Sequence, residues 1–506
     1  MAGYSLGSAR GRGILGATIL ASGAAFLLGS AVNVALPTIQ SAFGTDLSAL
    51  QWVVNAQLLT LAALLPIGGS LGDRFGRKRL FLAGIAMFTV AGVLSGLAKT
   101  PNVLIGWQAV LGIGSALMVP QSLAIINVSF AENRRGQAIG LWAGLSGGIA
   151  ALGPWLGGWL VQTFSWPAVF FMAAAVGVIA FVITLLLVPE SRNPAARRLD
   201  WAGTVCLLGG LFGIAFGLIS GPSGWTRPVA LISLLGGAAV LAVFVWIERR
   251  QREPLVPLHI FRNPLVSGAN LATLLLYCAL NGVLLFPVLN LQQVQGYSPS
   301  AAGLALLPVI VLITFLSGPA GSLADKLGPR PQMIIGPLLV AVGAGLLAVG
   351  GTSILYPRDF LPGAVLIGLG MALVIAPLTK SALAVRPELS GAASGVNNAA
   401  ARVAALLAVA VLGAIMVSIF SARLPGALAV SVLTGPEQQQ IIDQSGKLGG
   451  IVVPEALSAA AREAAKQAIA RSFVFSFRWV MLTCAALALG AALVSTALIR
   501  RPAGRR

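Results

Sequence analysis

Charge is what this chain has least of. Only 9% of its 506 residues are Asp, Glu, Lys or Arg, against about 25% in a soluble domain. Acids are scarcer still, 14 against 33 Lys and Arg. The one histidine, His259, sits in a basic loop. Cys206, Cys278 and Cys484 each fall inside an apolar run, with no CxxC and no His/Cys cluster. That argues against a metal site and a disulfide framework. No G-x-x-x-x-G-K-[ST] loop is present to cradle nucleotide phosphates, which argues against an ATP-driven pump. The clustered His, Asp or Cys of a polytopic membrane enzyme are missing too, so the chain reads as neither an enzyme nor a holder of cofactors.

What fills the chain instead is apolar. Residues of apolar type make up 57% of it, and the mean hydropathy is +0.91. A water-soluble globule of this composition would expose too much hydrocarbon, so the expectation is an all-α integral membrane protein. The net charge of +19 would ordinarily suggest nucleic acid. Here the basic residues stand in short loops between apolar runs, where membrane orientation explains them and no nucleic-acid partner is needed.

A span takes about 20 mostly apolar residues. Fourteen stretches qualify, at 13–39, 51–71, 80–98, 103–126, 137–163, 167–188, 202–221, 229–247, 264–291, 302–323, 332–353, 362–383, 395–419 and 479–499. The first follows Arg10 and Arg12. It is too long for a signal-peptide core and reads as a retained helix. Loop charge sets the orientation. With the N-terminus in the cytoplasm, the inner segments carry Arg74, Arg77, Lys78, Arg79, Arg134, Arg135, Arg197, Arg198, Arg249, Arg250, Arg252, Arg386 and the tail from Arg500. The short outer loops carry only Lys99, Arg227 and Arg358. Both termini are therefore expected inside, with a long outer loop at 420–478. Within that loop, the helix-forming run 455–472 is expected to lie as a separate amphipathic cap over the outer mouth.

One pattern occurs twice. Gly69-Ser70-Leu71-Gly72-Asp73-Arg74-Phe75-Gly76 follows the second span, and Gly321-Ser322-Leu323-Ala324-Asp325-Lys326-Leu327-Gly328 follows the tenth. Each joins the second and third helix of a six-helix unit. The division predicted is 1–190 for an N-terminal bundle, 191–262 for two inserted helices with their linkers, and 263–506 for a C-terminal bundle. Parallel repeats flanking a midplane cavity form a transporter architecture. Asp73, Arg74, Gly76, Arg77, Asp325 and Arg330 then suggest a cytoplasmic latch, with Asp73 accepting from helix N-termini or pairing with arginine across the bundle. The plainer alternative is a positive-inside anchor.

With these residues in place, the chain resembles the major facilitator superfamily, in particular its fourteen-helix drug:proton antiporter branch. The resemblance runs over nearly the whole chain. It is carried by Asn33-Val34-Ala35-Leu36-Pro37, the Asp73 loop, Leu199-Asp200-Trp201-Ala202-Gly203, Glu248-Arg249-Arg250 with Pro254-Leu255-Val256-Pro257, and Gly391 to Asn398. Gly140, Gly153, Pro154, Gly157 and Gly158 match the antiporter motif of the fifth span, with Ile149 at its middle glycine. Proline bends that helix and glycine lets a neighbour approach. Ordinary small-residue packing is the alternative.

The resemblance implies a major facilitator fold in the plasma membrane, acting as a monomer. It also implies export of drugs or lipid-like amphipathic metabolites by alternating access, with protons as the coupling ion. Two family charges are missing. The aspartate expected in the first span is Leu28, and the arginine expected in the fourth is Gln108. No acid lies centrally in any span, although an intramembrane carboxylate usually marks a proton path. An uncoupled facilitator, or a sensor or scaffold that moves nothing, therefore stays open. The polar residues expected to line a cavity are Asn33, Asn55, Gln57, Gln108, Gln121, Asn281, Asn290, Asn398 and Arg402, with Trp107 as a stacking face. Arg402 suggests an anionic or zwitterionic substrate. Its alternative role is to cap neighbouring helix ends.

Overall fold

Hydrocarbon offers no partner to a peptide N–H or C=O, so an apolar run that crosses it must satisfy its backbone within itself, and a helix does this. The computed structural model describes residues 4–192, 199–251, 253–385, 389–429 and 433–499. Arg197, Arg198, Arg252, Arg386 and the tail from Arg500 lie outside the described residues. So do the side chains of Glu132, Asn133, Ser223, Asp325, Ser390 and Ala392. Fourteen described helices are long and apolar enough to cross a membrane, in the number and order expected. The described residues form no strand, only one isolated backbone bridge between Tyr4 and Phe130.

The first bundle contains α1 (Ala9–Phe43), α2 (Leu47–Phe75), α3 (Arg77–Gly96), α4 (Pro101–Ser129), a fifth span in two pieces, α5 (Glu132–Ala151) and α6 (Gly153–Thr163), and α7 (Pro167–Leu187). Next come α8 (Trp201–Ser220) and α9 (Pro228–Arg250). The second bundle begins with α10 (Pro264–Gln293), followed by a tenth span also in two pieces, α11 (Pro299–Ala305) and α12 (Leu307–Leu327). It continues with α13 (Pro329–Val349), α14 (Leu361–Ala382), α15 (Ser390–Ala429), the short α16 (Gly435–Ile442) and α17 (Ala459–Leu498). Fourteen crossings bring the start of α1 and the end of α17 to one face, the terminal face. The opposite one is the far face.

The helix starts are written locally. Asp46, Thr100, Ser298 and Ser458 each accept a hydrogen bond from a backbone N–H in the first turn that follows. Pro101, Pro167, Pro228 and Pro264 occupy first helical positions, where a missing N–H costs nothing.

The far face is more helical than expected. α15 continues to Ala429 and α17 begins at Ala459, so both ends of the segment 420–478 are helical extensions of their spans. The run 455–472 does not form a separate cap. From Ala459 onward it is the first third of α17, because its alanine-rich sequence gives the helix no reason to stop before the span. At 40 residues each, α15 and α17 are about 60 Å long and overshoot the bilayer.

The inserted helices α8 and α9 pack chiefly on each other, and α8 docks where α2 meets α15. Trp52 of α2 holds this junction, with ring centroids 5.5 Å from Phe212 and 6.0 Å from Phe216. Leu59, Leu211, Ala215 and Leu406 complete the cluster. Trp52 therefore anchors the insertion. On the terminal face, Asp200 Oδ1 accepts from Gly203 N at 2.8 Å and Gln251 Nε2 at 3.1 Å. Glu248 Oε2 accepts from Val256 N at 2.8 Å. Two motif stretches far apart in sequence thus make one buried joint.

The duplicated loops share a backbone feature as well as a sequence. Gly76 has φ +112° and Gly328 has φ +81°, each between the second and third helix of its bundle. A side chain is disfavoured there by its own backbone, and a Cβ on Gly76 would also lie 2.9 Å from the Glu190 carboxyl. Gly76→Ala is therefore expected to cost about 1–2 kcal/mol. A lowered thermal midpoint of the detergent-purified protein would report it, and Gly106→Ala, whose added methyl meets only open space, serves as the comparison.

Candidate functional site

The site is built by two broken spans. Pro154 has no N–H, so the carbonyl of Ala150 loses its partner one turn ahead. The Ser30 hydroxyl of α1 donates to that carbonyl at 2.9 Å. The break falls at Leu152, between α5 and α6. In the tenth span it falls at Leu306, again two residues before a proline, Pro308.

Beyond the breaks, on the far side, the two halves of the molecule touch closely. α6 packs tightly on α11, whereas α5 and α12 barely meet. A Cβ on Gly158 would stand 2.3 Å from the Pro299 carbonyl oxygen, and one on Gly303 would stand 2.1 Å from that of Pro154. Only glycine permits this approach. Gly153 and Gly157 do the same against α1, at Ser30 and Ala31. Gly140 does not belong to this contact, since nothing lies within 4 Å of a Cβ added there. The other seam, α2 against α15, is joined by Gln51 Nε2 donating to the Val409 carbonyl at 2.6 Å. Gln292 Nε2 donates to the Val34 carbonyl at 3.0 Å, and Gln293 Nε2 to Gln40 Oε1 at 2.7 Å. Gln40 in turn donates to the Lys447 carbonyl at 3.0 Å, tying down the far-face connection.

On the terminal side the described ion pairs, Asp73–Arg77 and Arg79–Glu190, lie within the first half. Asp73 Oδ1 pairs with Arg77 Nη2 at 2.7 Å and accepts from its Nε at 2.9 Å. This is a bond inside its own loop, not one across the bundle. Arg74 is exposed and lies over the Phe75 ring at 5.6 Å. The acceptor for the helix N-terminus is Glu190, whose carboxylate takes the N–H groups of Lys78 at 3.1 Å and Arg79 at 3.2 Å. Sequence reading missed Glu190. The signal available was an acid at the end of the sixth span, facing a basic first turn. In the second half, Arg330 donates to the Thr496 carbonyl at 3.2 Å. At the broken spans the two halves thus meet closely on the far side and only sparsely on the terminal side.

Three mid-helix residues converge between the halves. The Arg402 guanidinium of α15 lies over the Phe26 ring of α1 at 5.4 Å, and Tyr277 of α10 lies within electrostatic reach of Arg402. Thr273, Tyr277 and Asn281 follow one another at helical spacing along α10. Thr273 donates to Asn397 Oδ1 at 2.9 Å. Asn281 and Asn398 each donate to a carbonyl one turn back in their own helices. Arg402 forms no ion pair with any described residue.

Several expected lining residues lie elsewhere. Gln108 is fully buried, and its Nε2 donates to Ser95 Oγ at 3.4 Å. Gln121 is likewise buried and donates to the Gly68 carbonyl at 2.8 Å. Both hold α4 to its neighbours and are corrected from cavity lining to helix packing. Asn55 is fully buried with neither amide atom bonded, and Gln57 and Asn290 are nearly so. Trp107 is half-buried against the core, and Asn33 is half-buried in α1.

A helical membrane body in two facing halves, with a polar midplane site and one side sealed, defines a transporter rather than an enzyme. The chain belongs to the Major Facilitator Superfamily, whose family model matches residues 18–409. It is 34% identical to the tetracenomycin C resistance and export protein of Streptomyces glaucescens, over 92% of this chain and 87% of that one. It is 33% identical to the multidrug resistance protein Stp of Mycobacterium tuberculosis, over 82% and 78%. With the puromycin resistance protein pur8 of Streptomyces alboniger the identity is 35%, over 76% and 78%. Among solved structures, a bacterial homologue of the human lysosomal transporter Spinster, in an inward-facing and unoccupied conformation, has the same fold. Its TM-score is 0.67 at 18% identity, covering 98% of this chain and 100% of that one.

Two substitutions probe the broken spans. Ser30→Ala removes the hydroxyl that joins α1 to the Ala150 carbonyl, leaving the Leu152 N–H as its donor, and is expected to cost about 0.5–1.5 kcal/mol in stability, read as a drop in thermal midpoint. Gly158→Leu drives a side chain into the Pro299 backbone and is expected to hold the far side apart. A cysteine placed at Val34 should then react with an impermeant thiol reagent added on that side, and stay protected when Gly158 is present.

Proposed function

We propose that this chain is a secondary exporter in the plasma membrane, working by alternating access. Both termini lie in the cytoplasm, as the loop charges favour. The far side is then the outside, and the described state opens inward. The observation that carries this reading is the asymmetry of the broken spans, glycine-tight at α6 and α11 and parted at α5 and α12. Relatives named for drug resistance and export support the direction of transport and the substrate class, drugs or amphipathic metabolites.

In this reading the loops of Asp73, Arg74, Gly76 and Arg77, and of Asp325 and Arg330, form the inner latch. The Asp73–Arg77 bond is its resting form. When the inner side closes, Asp73 exchanges Arg77 for partners on the other half. Arg402, with Tyr277 and Asn281 nearby, forms the polar end of the substrate site. An uncompensated guanidinium suits a carboxylate or zwitterion in an otherwise apolar chamber.

The family resemblance supplies proton coupling. An uncoupled facilitator is favoured by one specific observation, that Leu28 is fully buried hydrocarbon and no acid occupies the middle of any span.

Purified protein in liposomes is expected to move an amphipathic dye without ATP. If protons drive the cycle, collapsing an imposed pH gradient slows uptake severalfold. If the protein is a facilitator, uptake follows the dye gradient alone. Arg402→Ala is expected to weaken an anionic dye about tenfold or more, with less effect on a neutral one. No movement of any dye, together with an inert Asp73→Asn, would point to a scaffold.

A further inference from the structure

A second cleft system lies away from the central site, on the far face between the overshooting ends of α15 and α17. Its upper part, about 550 Å3, is lined by Arg423 and Arg471, with Ser472 among its walls. Its lower part, about 520 Å3, shares Arg423 and is walled by Ile419, Phe475 and Trp479. The groove is basic at the top and apolar below, and no acid lines either part. The nearest acid on α17, Glu463, lines an adjoining cleft with Lys466 and Arg471 and accepts from Gln467 at 3.1 Å.

Three features suit a ligand. The Arg423 guanidinium is held 4.4 Å from the Phe475 ring centroid, at the junction of the two parts. Neither Arg423 nor Arg471 pairs with a described acid. Ser472 is fully buried, and its hydroxyl has no hydrogen-bond partner, a state that costs free energy until something fills it.

Depth identifies the occupant. From Trp479 to the end of α17 at Leu498 the helix rises about 30 Å, the thickness of the hydrocarbon core. Trp479, 47% exposed, thus stands at the far boundary of that core, where tryptophan concentrates. Arg471 starts about 12 Å above it, just outside a headgroup layer about 5–8 Å deep, while Arg423, held on Phe475 one turn above Trp479, lies within that layer. Trp479 shares an exposed face of α17 with Leu482, Leu489 and Leu493, so the groove opens toward the bilayer. Independently of what the protein transports, we propose that this groove binds one anionic phospholipid of the outer leaflet. The phosphate lies against Arg423, with the long side chain of Arg471 reaching it from the outer rim, and the acyl chains enter the hydrocarbon past Ile419 and Trp479. Such a lipid would brace the two long helices that carry the far-face connection.

The test is native mass spectrometry of the full-length protein, extracted from liposomes of equal phosphatidylglycerol and phosphatidylcholine. The wild type is expected to retain one phosphatidylglycerol in preference to phosphatidylcholine. Arg423→Gln with Arg471→Gln should lower that retention about tenfold or more, and Trp479→Ala should lower it through the tail. Arg358→Gln, at an exposed far-face arginine beside Asp359, should retain the wild-type amount. Millimolar inorganic phosphate should leave the lipid in place. Equal retention of the two lipids by the wild type overturns the proposal without recourse to any variant. Full retention by the double variant also overturns it, as does displacement by inorganic phosphate, which would reveal a free-phosphate site.

Discussion

Every peptide group inside hydrocarbon must find its partner within the protein, and this structure is organised by where that demand is met and where it is relaxed. Most of the chain meets it with uninterrupted helices. In the fifth and tenth spans a proline removes a donor, the helix breaks two residues earlier, and at the first break a serine from α1 takes up the freed carbonyl. Those breaks divide each span into a piece bound to the opposite half and a piece that is not. The freed backbone groups and the uneven contact between the halves have the same origin.

Charge follows the same economy. With no acid in the middle of any span, Arg402 is left as the formal charge between the halves near mid-depth. It leans on the π-face of Phe26 rather than on a carboxylate. Four acids near the terminal face do structural work: Glu190 caps α3, Asp200 and Glu248 knit the inserted helices to their linkers, and Asp73 holds Arg77. Glutamine does much of the joining across the two halves. Gln40, Gln51, Gln292 and Gln293 seal the far side with uncharged hydrogen bonds, which can be broken and remade without stranding an ion.

The overshooting helices α15 and α17 give the far face a character of its own. They carry a basic, lipid-depth groove on one side and support the connection that Gln40 and Gln293 pin to the first bundle. The central site and this groove share helix α15.

The sequence by itself determined the number and order of the spans, because hydrocarbon thickness and the cost of unpaired backbone leave no other reading of fourteen apolar runs. It also determined the twin loops, since glycine at Gly76 and Gly328 answers a local backbone demand. Much of the rest was decided by tertiary structure. Gln108 and Gln121 looked like lining because a polar residue in an apolar run has two ways to be satisfied, by a cavity or by a neighbouring helix, and helix periodicity does not say which. Trp52 met a helix inserted some 150 residues later in the chain. The run after Ala459 fused with its span because nothing local stops an alanine-rich helix, and only its packing shows where it belongs. Which side is closed is not encoded at any one position. It follows from the fit of Gly158 to Pro299 and of Gly303 to Pro154, between residues that chain folding alone brings together.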